Sequence, residues 1–552
     1  MNQLALRVIP LGGLGDIGKN MMVLEYGDDM IVVDAGVMFP KEDMPGVDLV
    51  IPDFNYVLER RDKLRAIFIT HGHEDHTGAL PFLLSQVDAP VYASRLTCGL
   101  ISVKMREARG VRNAKINEIE AGDAIDCGNF AVEFFRVCHS IPDAMGLAIR
   151  TPEGLVVHSG DFKFDHTPAD GRPSDFAKLA SFGAEDVLLL MSDSTYAEVP
   201  GYTESEQVVG ETMVRVIGRA KGRVIIATFA SLISRIQQVV DAAVTHDRRV
   251  GVVGRSMVGN VRMATKLGYL KAPDGVMARL DELEQLPPER VVIVTTGSQG
   301  EPTSALVRMA NKSHREVAIQ PGDTVVISAT PIPGNETLVH KTINNLIRQG
   351  ATVLYDKVER VHVHGHAAQE ELKTMISLIK PKHFVPIHGE YRHLAIHAAI
   401  AQSLGVAKDN VFIMEDGDVL EIEEGVAGLG DRVQAGPIYV DGLARWDMST
   451  TVLRDRKNLS KDGFVVAFLA VDKRTGAVVG TPELISYGFL DDQEEEEVLP
   501  RGRELVIEAL TSGNGHRSDL GSVHTAVKEA LSEYFFQATK RRPMIFPVAI
   551  EV

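Results

Sequence analysis

A chain of 552 residues is too long for one hydrophobic core, so two or three domains are expected. Hydrophobic residues make up 45% and charged residues 24%, an ordinary globular make-up, and no apolar stretch approaches the roughly 20 residues that span a bilayer. The net charge of −17 argues against a nucleic-acid partner at first sight but does not exclude one, because a binding channel needs only a local basic lining. Met1 to Arg7 show no basic region followed by a long apolar run, and Cys98, Cys127 and Cys138 form no Cys-x-x-Cys. A cytoplasmic protein with buried, reduced thiols and no secretory signal is expected.

In chain order, Leu6 to Gly18 alternates and then turns into glycines. The next segment, Asn20 to Tyr26, is again strand-like, so strand–loop–strand fits better than a dinucleotide fingerprint. Met30 to Gly36 is a strand ending in Asp34, an acid suited to support a metal-binding histidine from behind. The apolar run Ala66 to Thr70 reads as a buried strand and opens into His71-Gly72-His73-Glu74-Asp75-His76. A strand that breaks into a Gly-containing loop sends consecutive side chains in several directions. His71 and His73 can hold one metal while Asp75 and His76 face a second. The run Gly78 to Val87 is expected as a helix that fixes the loop. Two later strands end in further candidates: Phe130 to Cys138 stops at His139, and Leu155 to Ser159 runs on to Asp161. Neighbours in a strand point to opposite faces, so Cys138 and His139 are not expected to serve one metal.

From Thr203 to Leu354 strands alternate with helical stretches, the rhythm of a parallel sheet covered on both faces. Several of its strands end in Gly/Ser loops suited to phosphate, among them Gly254 to Ser256, Thr296 to Pro302 and Ser328 to Glu336, and no Walker A sequence is present. A second histidine cluster follows, His362-Val363-His364-Gly365-His366, then a helix from Glu370 to Ile379 and a strand from Pro381 to Ile387 that ends at His388. The Gly-rich stretch from 420 to about 450 reads as a linker. The last hundred residues read as a small α+β module, with a hairpin (Gly463 to Gly480), helices Glu504 to Leu510 and Ser522 to Lys540, and a strand Pro543 to Val552. Its expected jobs are dimerisation or RNA positioning, and the acidic run Asp491 to Glu497 is expected as a solvated loop.

Counting ligands assigns His71, His73 and His139 to one metal and Asp75, His76 and His388 to the other, with Asp161 bridging. Histidine and carboxylate donors without thiolate suit zinc or manganese. Such a pair hydrolyses esters, amides, thioesters or phosphodiesters, and the cluster alone does not choose among them.

Ordered in this way, the ligand set resembles the metallo-β-lactamase superfamily, and the inserted βα segment with the second histidine cluster resembles its β-CASP branch of nucleic-acid nucleases. The similarity runs from Gly12–Asn20 to Thr539–Met544. It includes Thr70 to His76, His158 to Lys163, Ser192 to Thr195, Gly297 to Pro302 and Pro331 to Glu336. At that coverage the chain is similar to the bacterial ribonuclease J family. The resemblance implies an α/β fold: an αββα sandwich (1–203 and 355–425), an inserted parallel-sheet β-CASP domain (204–354), a linker (426–455) and an α+β C-terminal domain (456–552).

It also implies two divalent ions, zinc first with manganese or magnesium as alternatives, and catalytic roles for Asp75, Asp193 and His366. His364, Gly365, His366 and Ser231 would hold the RNA, with Asp34 behind the metal loop. His388 stands where DNA-processing members carry valine, which points to RNA. The implied activity is cleavage of single-stranded RNA, both internally and 5′→3′ from a 5′-monophosphate, in rRNA maturation and mRNA turnover. The implied assembly is a homodimer or homotetramer, with RNA-decay partners and no membrane. The alternatives are a DNA-processing β-CASP nuclease, a small-molecule hydrolase and a non-catalytic scaffold. Two positions depart from the family pattern: His364 stands where serine is usual, and Ser234 where histidine is usual in Phe-Ala-Ser-x-Ile-His-Arg.

Overall fold

The computed structural model describes residues 4–41, 43–107, 114–332, 334–442, 445–472, 478–511 and 520–552. The chain forms two compact units, one of Met1–Phe39 with Leu49–Ile438 and one of Pro40–Asp48 with Tyr439–Val552.

Two sheets dominate the first unit. The larger runs, in spatial order, Val426–Leu429, Leu420–Glu423, Leu6–Gly12, Met21–Tyr26, Asp29–Val33, Leu64–Phe68, Val91–Ser94 and Ile116–Ile119. The smaller runs His383–Ile387, Val187–Asp193, Gly154–His158, Met145–Thr151, Phe130–Arg136 and Ala124–Cys127. Val8, Leu24, Ile31 and Phe68 of one pack against Val132, Phe134, Leu147, Val156 and Val385 of the other. The far face of the smaller sheet is covered through Phe135, Val157, Leu190 and Phe384 by the helices Phe176–Phe182, Gln369–Ile379 and Tyr391–Ser403. Every residue of Val187–Asp193 is buried, as a strand covered on both faces requires.

Register is what positions the site. Gly154–His158, Val187–Asp193 and His383–Ile387 run parallel, with His158 opposite Met191 and Asp193 opposite Ile387. Asp161, Asp193 and His388 therefore leave the sheet at one edge. The parallel pair Asp29–Val33 and Leu64–Phe68 does the same for Asp34 and His71 in the facing sheet.

The insert is a five-stranded parallel sheet ordered Arg249–Val253, Val291–Thr295, Val224–Ala227, Thr324–Ile327 and Thr352–Leu354. Separate cores cover its two faces, one built on Val224, Ile226 and Val292, the other on Ile225, Ile293 and Val325.

Three local expectations are corrected. The helix expected over Gly78 to Val87 is shorter, Leu80–Leu84, with Pro81 in its first turn, where proline is favoured, and a separate four-residue helix, Glu74–Thr77, precedes it. The stretch 426–455 is not a bare linker: Val426–Leu429 pairs with Leu420–Glu423 through a tight turn at Glu424 (φ 48°) and Gly425 (φ 74°). Two central residues with positive φ make a turn whose twist matches the strands. Pro437–Asp441, Arg445–Met448 and the start of the helix Thr450–Asp462 also lie there. The acidic run opens the helix Asp492–Thr511, where Asp491 accepts from the amides of Gln493 and Glu494 and the acids face the positive end of the helix dipole.

In the second unit, Val478–Tyr487, Phe464–Val471 and Met544–Glu551 form one sheet, packed by Val465, Leu469 and Ile545 against Val506, Val527 and Leu531 of two helices, the second being Leu520–Thr539. The turn of the expected hairpin, 473–477, lies outside the described residues. Among the described residues no helix is long and apolar enough to cross a membrane.

Candidate metal centre

The loop after Leu64–Phe68 is held by backbone contacts that leave no room for error. The amides of Asn20, Ala35 and Val37 donate to the carbonyls of Asp75, His76 and Glu74 at 3.0, 2.8 and 3.0 Å. Gly36 is required by this approach, since a Cβ there would lie 1.6 Å from the Asp75 oxygen. His73 caps the helix Glu74–Thr77, so Asp75 and His76 project from its first turn while His71 and His73 precede it.

The structure brings the candidate donors into two adjoining groups, His71–His73–His139 and Asp75–His76–Asp161–His388, the atoms of each group lying within 4.8 Å of one another. His73 Nδ1 is 3.1 Å from both His71 Nε2 and His139 Nε2. A single ring proton could satisfy only one of these contacts. A tetrahedral zinc with bonds of about 2.0–2.1 Å separates its ligands by about 3.3 Å, so a cation fits the spacing. Asp161 Oδ2 lies 3.2 Å from both His76 Nε2 and His388 Nε2, and 3.7 and 3.9 Å from His71 and His139 Nε2. It sits between the groups. His388, at φ 52°, is buried with neither ring nitrogen hydrogen-bonded among the described residues, although Asp161 is close. The 3.2 Å approach also fits two ligands facing one cation.

The rings are oriented from behind. Asp34 Oδ2 is 2.7 Å from His76 Nδ1, and the same carboxylate accepts from the Thr70 amide (2.8 Å) and hydroxyl (2.9 Å). His139 Nδ1 is 2.7 Å from the Gly365 carbonyl. Carboxylate or carbonyl partners of this kind set which nitrogen keeps its lone pair.

Burial, reinforced by neighbouring histidines, holds His71 and His139 well below their usual range, and burial pushes His73 down to about 4. These rings are neutral, the form that binds metal. Burial also opposes the charging of His76 and His388, yet Asp161, helped by Asp34 and Asp75 at His76, raises both. The carboxylates thus demand positive charge where the second group converges.

His366 Nδ1 is 2.8 Å from Asp193 Oδ2 and 4.0 Å from Asp161 Oδ2. Burial would lower its pKa, but Asp193, Asp161 and Asp75 outweigh that and raise it to about 9. Asp193 Oδ1 in turn accepts from the Thr195 amide and hydroxyl. His364 stays outside the donor groups: its ring lies tilted by 43° against Tyr196 at 4.2 Å, and burial, with His366 and Lys163, lowers it to about 4. Ser231 lies in the turn before the helix Ile233–Thr245, whose Ser234 hydroxyl is 3.4 Å from the Ser140 carbonyl. Sequence reasoning missed Thr70, Tyr196, and Asn20, whose Nδ2 is 3.0 Å from the Asp75 carbonyl and 3.1 Å from His76 Nε2. Asn20 closes the Gly12–Asn20 segment already singled out, so a signal was there.

A sandwich with an inserted parallel sheet and a buried His/Asp centre at its strand edges defines a metallo-hydrolase. Family profiles agree along the chain: the metallo-beta-lactamase superfamily matches residues 14–195, the ribonuclease J beta-CASP domain 221–346, the Zn-dependent metallo-hydrolase RNA specificity domain 352–414 and the ribonuclease J C-terminal domain 451–552. The chain is 44% identical to ribonuclease J 1 of Streptococcus pyogenes over 98% of its own length and 97% of the relative's. It is 42% identical to ribonuclease J2 of Bacillus subtilis (99% of each) and 44% identical to ribonuclease J of Thermus thermophilus (99% and 95%). A solved protein of unknown function from Enterococcus faecalis V583 shares the fold alone (TM-score 0.55, 17% identity, 76% of this chain and 100% of that one). The chain belongs to the ribonuclease J family. It is an RNA-binding, divalent-metal-dependent nuclease of the RNA-processing metallo-hydrolases.

Proposed function

We propose that the centre holds two divalent cations, zinc first, and hydrolyses single-stranded RNA both internally and 5′→3′ from a 5′-monophosphate end. The convergence of seven donors on two adjoining positions, with Asp161 between them, carries the reading. His71, His73 and His139 would hold one ion and Asp75, His76 and His388 the other. Bound there, the pair supplies activation of water and charge neutralisation at phosphorus.

The chain's own residues do the rest. Asp34 and the Gly365 carbonyl take the Nδ1 protons of His76 and His139 and aim their Nε2 atoms inward. Asp193 holds the Nδ1 proton of His366 and leaves Nε2–H free for the substrate. As water adds to phosphorus and the P–O3′ bond breaks, His366 gives a proton to the departing 3′ oxygen, leaving 5′-phosphate and 3′-hydroxyl ends. General acid help of this kind is worth about 10²–10⁴ in rate. His364, neutral at ordinary pH, offers one N–H to a phosphate oxygen, and Ser231 a hydroxyl.

The test is one internally labelled single-stranded RNA carrying a 5′-monophosphate or a 5′-triphosphate, incubated with the protein and zinc or manganese. Mononucleotides from the monophosphate form alone, with discrete fragments from both, are expected. Identical fragments from both forms, without mononucleotides, would remove the exonuclease half. No cleavage of either would overturn the reading.

A further inference from the structure

Gly365 lies in the return segment, 226 residues from His139 in sequence, yet it touches that ring in two ways. Its carbonyl is 2.7 Å from His139 Nδ1. Its missing side chain is the second contact: a Cβ there would stand 2.6 Å from both Cε1 and Nδ1 of the ring and 2.9 Å from the Ser140 Cβ. The backbone does not explain the glycine, because Gly365 is not among the residues with positive φ. The ring does.

The segment carrying Gly365 is tied at both ends. The Val361 carbonyl accepts from Arg235 Nη1 (2.8 Å) and the Ser328 hydroxyl (2.5 Å), both from the inserted domain. The His366 carbonyl accepts from the Thr203 hydroxyl at 2.7 Å. Between these anchors Val361 and Val363 are buried, so the Gly365 carbonyl has little freedom to follow a ring that drifts.

We infer that Gly365 is a positioning residue for His139. Its carbonyl fixes the tautomer that leaves Nε2 free for the cation shared with His71 and His73, and its bare Cα is the seat of the ring. The role rests on the two-cation reading and goes beyond a contact to RNA. The first cation site then depends on the insert-anchored strap, while the second, built on Asp75, His76, Asp161 and His388, does not.

The experiment uses full-length protein loaded with zinc, desalted, and read by plasma emission and by competition with a chelating dye. H139A marks the loss of the first site, and H364A controls for disturbance of the strap. G365A is expected to lose the zinc that H139A loses and to keep the remainder, with an unchanged circular dichroism spectrum, while H364A keeps the wild-type content. A G365A protein with wild-type zinc content and affinity would overturn the inference. If G365A is too unstable to load, a thermal-melt cycle decides: most of its fall in Tm should vanish in the H139A background, where the ring is gone. The same fall in both backgrounds would mean the space serves something other than His139. A wild-type chain that neither binds zinc nor cleaves RNA would instead remove the two-cation reading beneath it.

Discussion

The two histidine clusters look alike in sequence and behave differently in the fold. In His71 to His76 every histidine points a nitrogen at the centre, and His76 has a carboxylate on its other nitrogen. In His362 to His366 only the last does so. His362 has a buried Nδ1 without a hydrogen-bond partner among the described residues, and His364 leans on Tyr196. His364 and His366 are two residues apart, yet burial lowers one to about 4 while the carboxylates around the other overcome burial and raise it to about 9. Histidine spacing therefore says little by itself. At His76 and His366 a carboxylate, and at His139 a carbonyl, faces one ring nitrogen and turns the other toward the centre.

The sharpest way to break this contrast is to remove the carboxylate that lies between the two donor groups. Asp161→Ala, or exhaustive chelation, is expected to take RNA cleavage below detection, read by metal content and turnover together. His366→Ala should keep the wild-type metal content and lose about 10²–10⁴ in turnover; a smaller loss would return His366 to the role of a packed residue. Asp34→Ala should weaken metal binding by about 10–100-fold, measured with a chelating dye, because His76 loses the partner that aims it.

His364→Ser should change turnover by less than about tenfold, the worth of one hydrogen bond, and raise the preference for 5′-monophosphate RNA. A last effect, on stability rather than activity, is the response of the metal-free protein to pH. His364 has its pKa lowered from about 6.5 to about 4, so below pH 6.5 the unfolded chain binds a proton that the folded chain refuses. Its contribution is fully present above about 6.5 and falls as pH drops toward 4, by at most about 1.4 kcal/mol per pH unit. His366 has the opposite sign: its contribution is present below about 6.5 and is lost as pH rises through about 9. Urea melts of H364S and H366A against the parent should show the acid limb flattened in one and the alkaline limb in the other.

The sequence by itself determined the kinds of donor and their setting at the ends of apolar strands, because side-chain chemistry and period-two burial are written locally. The βα rhythm of the insert was legible for the same reason: parallel strands covered on both faces are continuous apolar runs. Glu74–Thr77 was not, since a four-residue helix carries too little periodicity to separate it from a loop. Nor was the acidic run, whose helical start depends on Asp491 and on the helix behind it.

Only the tertiary structure decided that His364 lies against Tyr196, and that a glycine carbonyl 226 residues away faces His139. Those pairings follow from sheet register and from the anchoring of Val361 to Arg235 and Ser328. Register is a property of two strands packed together, and no single stretch of chain contains it.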